Sequence, residues 1–255
     1  MVKQISLFGL CLSYAMLLVM LYLTHKERLN LTKDILISFL RMSVQLFAAG
    51  FVLFYVFEIN SIALTSLIYL FMIFFATRIV ISRTRVKLKG LAVYLFVSIL
   101  LSTFSILSFM FFGIIHLDSL EARYVIPLAG MVIGNAMNTT TIGIERFFAK
   151  ARDNRELIEE FLSLGANRYE ALSPVRKDAF RSSLLPSLSS ASGMGIVFLP
   201  GMMTGQILSG VNPIEAVNYQ IMIVIAISTG VALSNYLILR MLEKSVFNEH
   251  DQLNF

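Results

Sequence analysis

LTSLIYLFMIFFA, residues 64–76, decides the fold. The stretch carries no charge, and its polarity does not alternate as a half-buried strand or a barrel strand would require. With its flanks it forms an apolar run over 61–82, and a hydrocarbon core about 30 Å thick is crossed by roughly 20 residues of helix. Lipid offers no partner to a free amide, so helix is the conformation such a run must take. Working outward, six further runs reach the same length: 5–24, 35–57, 90–115, 124–145, 187–209 and 216–239. The 255 residues are 57% hydrophobic and 15% charged, with 21 Phe, 13 Met and no Trp, and mean hydropathy is +0.77. Soluble domains carry roughly 25% charged residues, so this chain lacks the means to cover a water-facing surface. The expected fold class is all-α, a polytopic membrane protein with about seven transmembrane helices.

The net charge of +5 and pI near 9.4 do not mark a nucleic-acid binder, because the basic residues sit in the breaks between apolar runs. Eighteen of the 21 fall on one side: Lys26, Arg28 and Lys33, then five from Arg78 to Lys89, eight from Arg146 to Arg181, and finally Arg240 and Lys244. Lys3 and Arg123 fall on the other side, and Arg41 lies within a span. Positive-inside bias therefore predicts an outer amino terminus and a cytoplasmic carboxyl terminus. The first run leads into charged residues without a small-x-small cleavage site, which reads as a retained span and not a signal peptide. Cys11, the single cysteine, reads as a small apolar residue within a helix.

The break 146–186 is the one large enough to build anything. Apolar residues at 157, 158, 161, 162 and 164 place a stripe on one helix face, Gly165 suits the left-handed position that ends such a helix, and a third segment, Val175 to Leu185, is expected to stop at Pro186. This reads either as an amphipathic hairpin lying at the membrane surface or as a docking platform for a cytoplasmic partner.

Polar residues inside spans face protein or water. Arg41 and Gln45 share a helical face, suited to lining a path, to packing against a neighbouring helix or to reaching headgroups. The fifth span, PLAGMVIGNAMNTTTIGIER (127–146), carries Asn135 and Asn138 on one side, for which structural hydrogen bonding and substrate contact stay open. Its Gly130 and Gly134 have the spacing that admits another helix closely. Glu145 reads as an inner gate or ion pair, balanced by Arg146, or as a metal ligand. In PSLSSASGMGIVFLPGMMTGQILSG (186–210), Pro200–Gly201 should break the helix near mid-membrane, followed by Met202, Met203 and Gln206. A thioether pair beside a break can receive a soft metal, whereas a Met more commonly fills a packing gap. No phosphate loop with its Lys is present. His25, His116 and His250 are too scattered for one metal site, so no catalytic centre emerges.

The stretch Gly130 to Glu145, the segment EEFLSLG (159–165) and SSLLPSLSSASGMGIVFLPGMMTGQILSG (182–210) resemble the bacterial iron-export ABC permease family, which includes plant permeases implicated in aluminium tolerance. The resemblance implies a single permease domain over 1–255 in the inner (plasma) membrane, with a coupling loop at about 146–186. It further implies a homodimer served by a separate cytoplasmic ABC ATP-binding subunit. ATP and magnesium would be used by that partner, with no cofactor bound by this chain. Import-type permeases carry a coupling loop of the form E-A-A, three residues, Gly, nine residues, I-x-L-P. Glu159, Glu160, Phe161 and Gly165 match its first half, but Pro186 lies 21 residues past Gly165 instead of 13 and Ser183 holds the isoleucine position. The implied cargo is iron, with a nucleotide sugar or metal chelate as alternatives and a non-transport membrane scaffold as rival. The oxygens on offer along a pathway are those of Asn135, Asn138, Glu145, Gln206 and the Pro200 backbone. Metal candidates are Glu145, Met202 and Met203.

Overall fold

Apolar runs that find no water for their amides close those bonds internally, and the computed structural model shows the result. It describes residues 6–84, 86, 88–116 and 120–247. Lys3, Arg85, Lys87 and His250, used in the charge and histidine arguments, lie outside these. The chain forms two compact units.

The first unit spans Met1–Asn60 and takes in Leu208–Gly210. It contains α1 (Leu7–Lys26) and α2 (Thr32–Ile59). Ser6 caps α1 by accepting the Gly9 N–H at 3.1 Å, which satisfies one of the orphan amides of a helix start. The turn between the helices puts Arg28 and Asn30 in left-handed conformation, each at φ 54°, and the Tyr14 and Ser43 hydroxyls bond across the pair. Along α2 only Ile35 and Val56 are buried. A hairpin with its apolar side chains outward is built for lipid as its solvent.

The second unit holds α3 (Ile62–Thr84), α4 (Leu91–Ser108) with a π-helical continuation over Phe109–Ile115, α5 (Ala122–Asp153), α6 (Arg155–Ser163), α7 (Arg168–Ala171), α8 (Ser173–Gly193), α9 (Gly201–Leu208) and α10 (Pro213–Ser245). Two cores hold it together. One, at the basic end, joins Val80, Leu95, Phe147, Phe148, Ile158, Leu172, Val175, Ile238 and Leu242. The other, toward the opposite end, joins Ile73, Ile99, Met110, Leu128, Val132 and Ile223. Their composition shows α5 and α10 running in the same direction.

Glycine sets the seam between those two helices, though not where the sequence suggests. A Cβ on Gly230 would lie 2.8 Å from Val132, and one on Gly143 would lie 2.7 Å from the Asn235 Oδ1 and 3.3 Å from the Ser183 Cβ. The Gly130–Gly134 pair is not a close helix seam: Gly130 meets the flexible end of Met72, and Gly134 meets nothing within 4 Å. Gly143→Val is therefore expected to cost about 1–3 kcal/mol by overpacking, seen as a lower thermal midpoint in detergent, while Gly134→Ala leaves that midpoint unchanged.

Six helices among the described residues are long and apolar enough to cross a membrane: α1, α2, α3, α4 with its continuation, α5 and α10. The multi-span helical reading is borne out. The run 187–209 is the exception to seven unbroken spans, being divided between the end of α8, a non-helical stretch over 194–200, and α9. The expected break at Pro200–Gly201 is thus present, with Gly201 opening α9. The expected stop at Pro186 is absent, because α8 runs through it to Gly193. A proline removes one backbone bond but holds a helical φ, and ending the helix there would strand several carbonyls where water is scarce.

Candidate functional site

Three places concentrate the residues singled out by the sequence. The first is the platform made by α6 and α7. The short helix α6 (Arg155–Ser163) ends in a Schellman turn: the Ala166 N–H donates to the Phe161 carbonyl and the Gly165 N–H to the Leu162 carbonyl, with Gly165 at φ +92°. Asn167 and Glu170 then form a reciprocal capping box that starts α7. The apolar stripe divides in two. Ile158 is buried and Leu162 packs on the same core, whereas Leu157, Phe161 and Leu164 are 45%, 36% and 77% exposed. Their spacing of i, i+4 and i+7 makes one outward-facing ridge. Glu159 pairs with Arg155 at 2.9 Å, and Glu160 points to the exposed side.

The platform is anchored from beneath. Glu243, fully buried on α10, accepts from Arg176 of α8 at 2.5 Å and from Arg240 at 3.2 Å, and the Arg168 guanidinium lies 5.4 Å from the Phe247 ring centre. Arg146 does not balance Glu145: it donates to Asp178 of α8 at 2.5 Å, and Glu145 joins no ion pair among the described residues. The reason is direction, since adjacent side chains on a helix point about 100° apart. That bond from Arg146 holds the Asp178 carboxyl below its ordinary range. The pair's contribution is present above the ordinary carboxylate pKa and fades as pH falls through the lowered one, modestly, since both groups are substantially exposed.

The second place is one face of α5. Asn135, Asn138 and Glu145 are all exposed, while Ala136, Thr139, Thr140 and Gly143 on the other side are buried. Asn135 donates to the Met131 carbonyl at 2.8 Å. The polar face is thus turned away from this chain's own core. Arg41 and Gln45 are exposed on α2, in the other unit.

The third place is the interrupted span. Residues 194–200 are held by bonds from the Gly195 N–H to the Phe198 carbonyl and from the Val197 N–H to the Gly193 carbonyl. The Pro200 carbonyl is not free for a ligand, because the Thr204 N–H and hydroxyl both donate to it at 2.9 and 3.0 Å. A proline's carbonyl at a helix start is a natural acceptor for the fourth residue on. Between this stretch and α10 lies a cavity of about 320 Å³, lined by Met194, Leu199, Met203, Gln220 and Ile221 among others. Met202 packs on the second core instead. Gln206 is half-buried on α9. No group of three or more His, Cys, Asp or Glu side chains suited to a metal occurs among the described residues.

Sequence reasoning missed Glu243, Arg176, Met194 and Gln220. The only available signals were the carboxylate of Glu243 between Arg240 and Lys244 and the two amides, Asn218 and Gln220, in the run NYQIMIV (218–224).

A family model described as "Uncharacterised protein family (UPF0014)" matches residues 7–247. The chain belongs to the UPF0014 family. This UPF0014 protein is 33% identical over 245 residues to "UPF0014 membrane protein YjkA" of Bacillus subtilis, covering 96% of this chain and 97% of that one. It is 33% identical over 246 residues to "Probable iron export permease protein FetB" of Escherichia coli, covering 96% and 93%. It is 34% identical over 206 residues to "Protein ALUMINUM SENSITIVE 3" of Arabidopsis thaliana, covering 81% and 74%. No solved structure matches it. The resemblance carried by 130–145, 159–165 and 182–210 is borne out, and the UPF0014 protein is a multi-span membrane protein of a permease family.

Proposed function

We propose that this chain is the permease subunit of an ATP-driven ABC transporter that exports metal ions, iron foremost. Two copies would work with two cytoplasmic ATP-binding subunits. The observation that carries the proposal is the outward ridge of Leu157, Phe161 and Leu164 on a platform clamped to α8 and α10. Apolar side chains held rigidly at the basic end of the bundle, flanked by Glu159 and Glu160, suit a docked protein better than water. The relative named as a probable iron export permease supports the cargo.

In this reading the basic end is cytoplasmic, and the ATP-binding subunits close on ATP and push the platform. The push reaches α8 and α10 through the Arg176–Glu243–Arg240 cluster, whose carboxylate is buried. The outward polar faces of α5 from the two copies line the pathway, Asn135 and Asn138 along its length and Glu145 as its inner gate. Neutral amides in such a path bind a cation weakly enough to release it. Pro200–Gly201 serves as the hinge of the interrupted span, with Gln206 beside it, and Arg41 and Gln45 belong to the hairpin of α1 and α2.

The test is co-purification of the chain with an ABC ATP-binding subunit from the same organism, followed by transport of ferrous and ferric iron in proteoliposomes. ATP-dependent iron flux that requires both subunits is the expected result. Flux by the chain alone on an ion gradient, or a complex without substrate-stimulated ATPase activity, overturns it. Gly165→Val forces a β-branched residue to φ +92° at about 1–2 kcal/mol. It is expected to lower substrate-stimulated ATPase activity while membrane insertion stays normal.

A further inference from the structure

The segment TRIVISRTRVKLKG, residues 77–90, joins α3 to α4 and holds five basic residues with no acidic one. The nearest carboxylates along the chain are Glu58 and Asp118. At the same basic end, Arg146, Arg155, Arg176 and Arg240 each pair with a carboxylate. Arg78, Arg83 and Lys89 are exposed and join no ion pair among the described residues. Orienting a span needs only basic charge near its end, whereas two of these three charges border one feature. A shallow groove of about 370 Å³ opens at the turn, lined by Ile81, Val86, Leu88 and Lys89 among others. Ile81, Val86 and Leu88 pack against the core of the basic end, which gives the groove a fixed apolar wall. Arg78 lies one turn before Ile81 on the same helix face.

Two spans leave the membrane at this groove, α3 ending at Thr84 and α4 beginning at Leu91. Its wall therefore sits where acyl chains give way to headgroups. Gly90 also lines it and starts α4 with no side-chain cap. A helix start makes no site alone, but here its positive end adds to Lys89 and Arg78. We propose that the groove binds an anionic phospholipid of the adjoining leaflet, with Lys89 and Arg78 on the headgroup phosphate and the first acyl methylenes against Ile81, Val86 and Leu88. A lysine suits that place, since its stem follows apolar surface while its ammonium stays among polar groups. A free phosphate meets the same charges but leaves the apolar wall uncovered. An acidic protein would have to reach headgroup depth to cover that wall, where a lipid already is. The inference stands apart from the transport reading, because binding needs only that the basic end meets a leaflet.

The experiment uses the full chain purified in a non-ionic detergent. Phosphatidylglycerol, phosphatidylcholine with the same acyl chains, and inorganic phosphate are offered in separate arms. Retained lipid is counted by native mass spectrometry, and the thermal midpoint is followed in each arm. Retention of a single phosphatidylglycerol in preference to phosphatidylcholine is expected, with a raised midpoint in that arm alone. A basic residue at an anionic membrane surface is worth about a fivefold preference, so Lys89→Gln and Arg78→Gln should each lower the preference by about that factor. Lys89→Arg should keep it. Arg83→Gln is the control: it removes the same charge, but Arg83 points roughly 140° away from Arg78 around α3, so the preference should stay unchanged. The comparison of lipids on the wild-type chain needs no variant and holds even if one inserts poorly. Equal retention of the two lipids overturns the site, as does a midpoint raised equally by inorganic phosphate. Arg83→Gln acting as strongly as Lys89→Gln reduces the patch to diffuse charge and overturns it too. So does loss of ATP-binding-subunit association in Lys89→Gln with phosphatidylglycerol retention intact, which assigns the patch to a protein.

Discussion

Glu243→Ala is expected to destabilise the chain by about 3–5 kcal/mol, the usual consequence of stranding a buried charge. Glu243 is completely buried and its two oxygens are shared between Arg176 and Arg240. Removing it leaves the Arg176 guanidinium, only 18% exposed, without its carboxylate in the core that joins α7, α8 and α10. The measurement is thermal unfolding of the detergent-solubilised protein, followed by loss of the monodisperse peak. Replacing Glu243 and Arg176 together with methionine should cost much less than Glu243→Ala, because an apolar pair of similar volume carries no desolvation penalty and Arg240, 39% exposed, keeps its contact with water. If the double variant retains fold and partner binding but loses transport, the ion cluster serves force transmission and not stability. If Glu243→Ala is as stable as the wild type, the cluster is not the anchor of the platform.

Aspartate in place of both Leu157 and Phe161 should weaken association with the ATP-binding subunit by a factor of 100 or more. Central apolar contacts in an interface each contribute about 2 kcal/mol or more, and about 1.4 kcal/mol is a factor of ten. Both side chains face outward, so the chain itself should remain folded and insert normally. Leu162→Asp, only one residue beyond Phe161, is the informative control. Its side chain packs on the core, so it should lower thermal stability in the chain alone, with no partner present. Binding of an ATP-binding subunit undisturbed by the double aspartate would remove this ridge from the interface.

Much of the architecture was legible in the order of residues. The run at 61–82 becomes α3, Gly165 ends α6 in the left-handed conformation, and Pro200 marks the edge of the interruption, because each depends on local chemistry: chain hydration, a missing Cβ, a missing amide. Periodicity likewise located the stripe on α6, but it could not divide that stripe into Ile158 and Leu162 facing in and Leu157, Phe161 and Leu164 facing out. That division depends on where the rest of the bundle lies.

The same limit explains the corrections. Arg146 bonds Asp178, 32 residues on, and Arg176 bonds Glu243, 67 residues on; charge patterns within one helix carry no record of either. Gly130 and Gly134 have the right spacing for a close seam, yet Gly143 and Gly230 make it, because spacing shows where a helix can be approached and packing chooses where it is. Composition and hydrophobic runs determined that the chain is a set of membrane helices, and the Pro200–Gly201 pair that one of its apolar runs is interrupted. Only the tertiary structure decided which side chains meet across that bundle, since such meetings are set by the burial of whole helix faces and not by any neighbour along the chain.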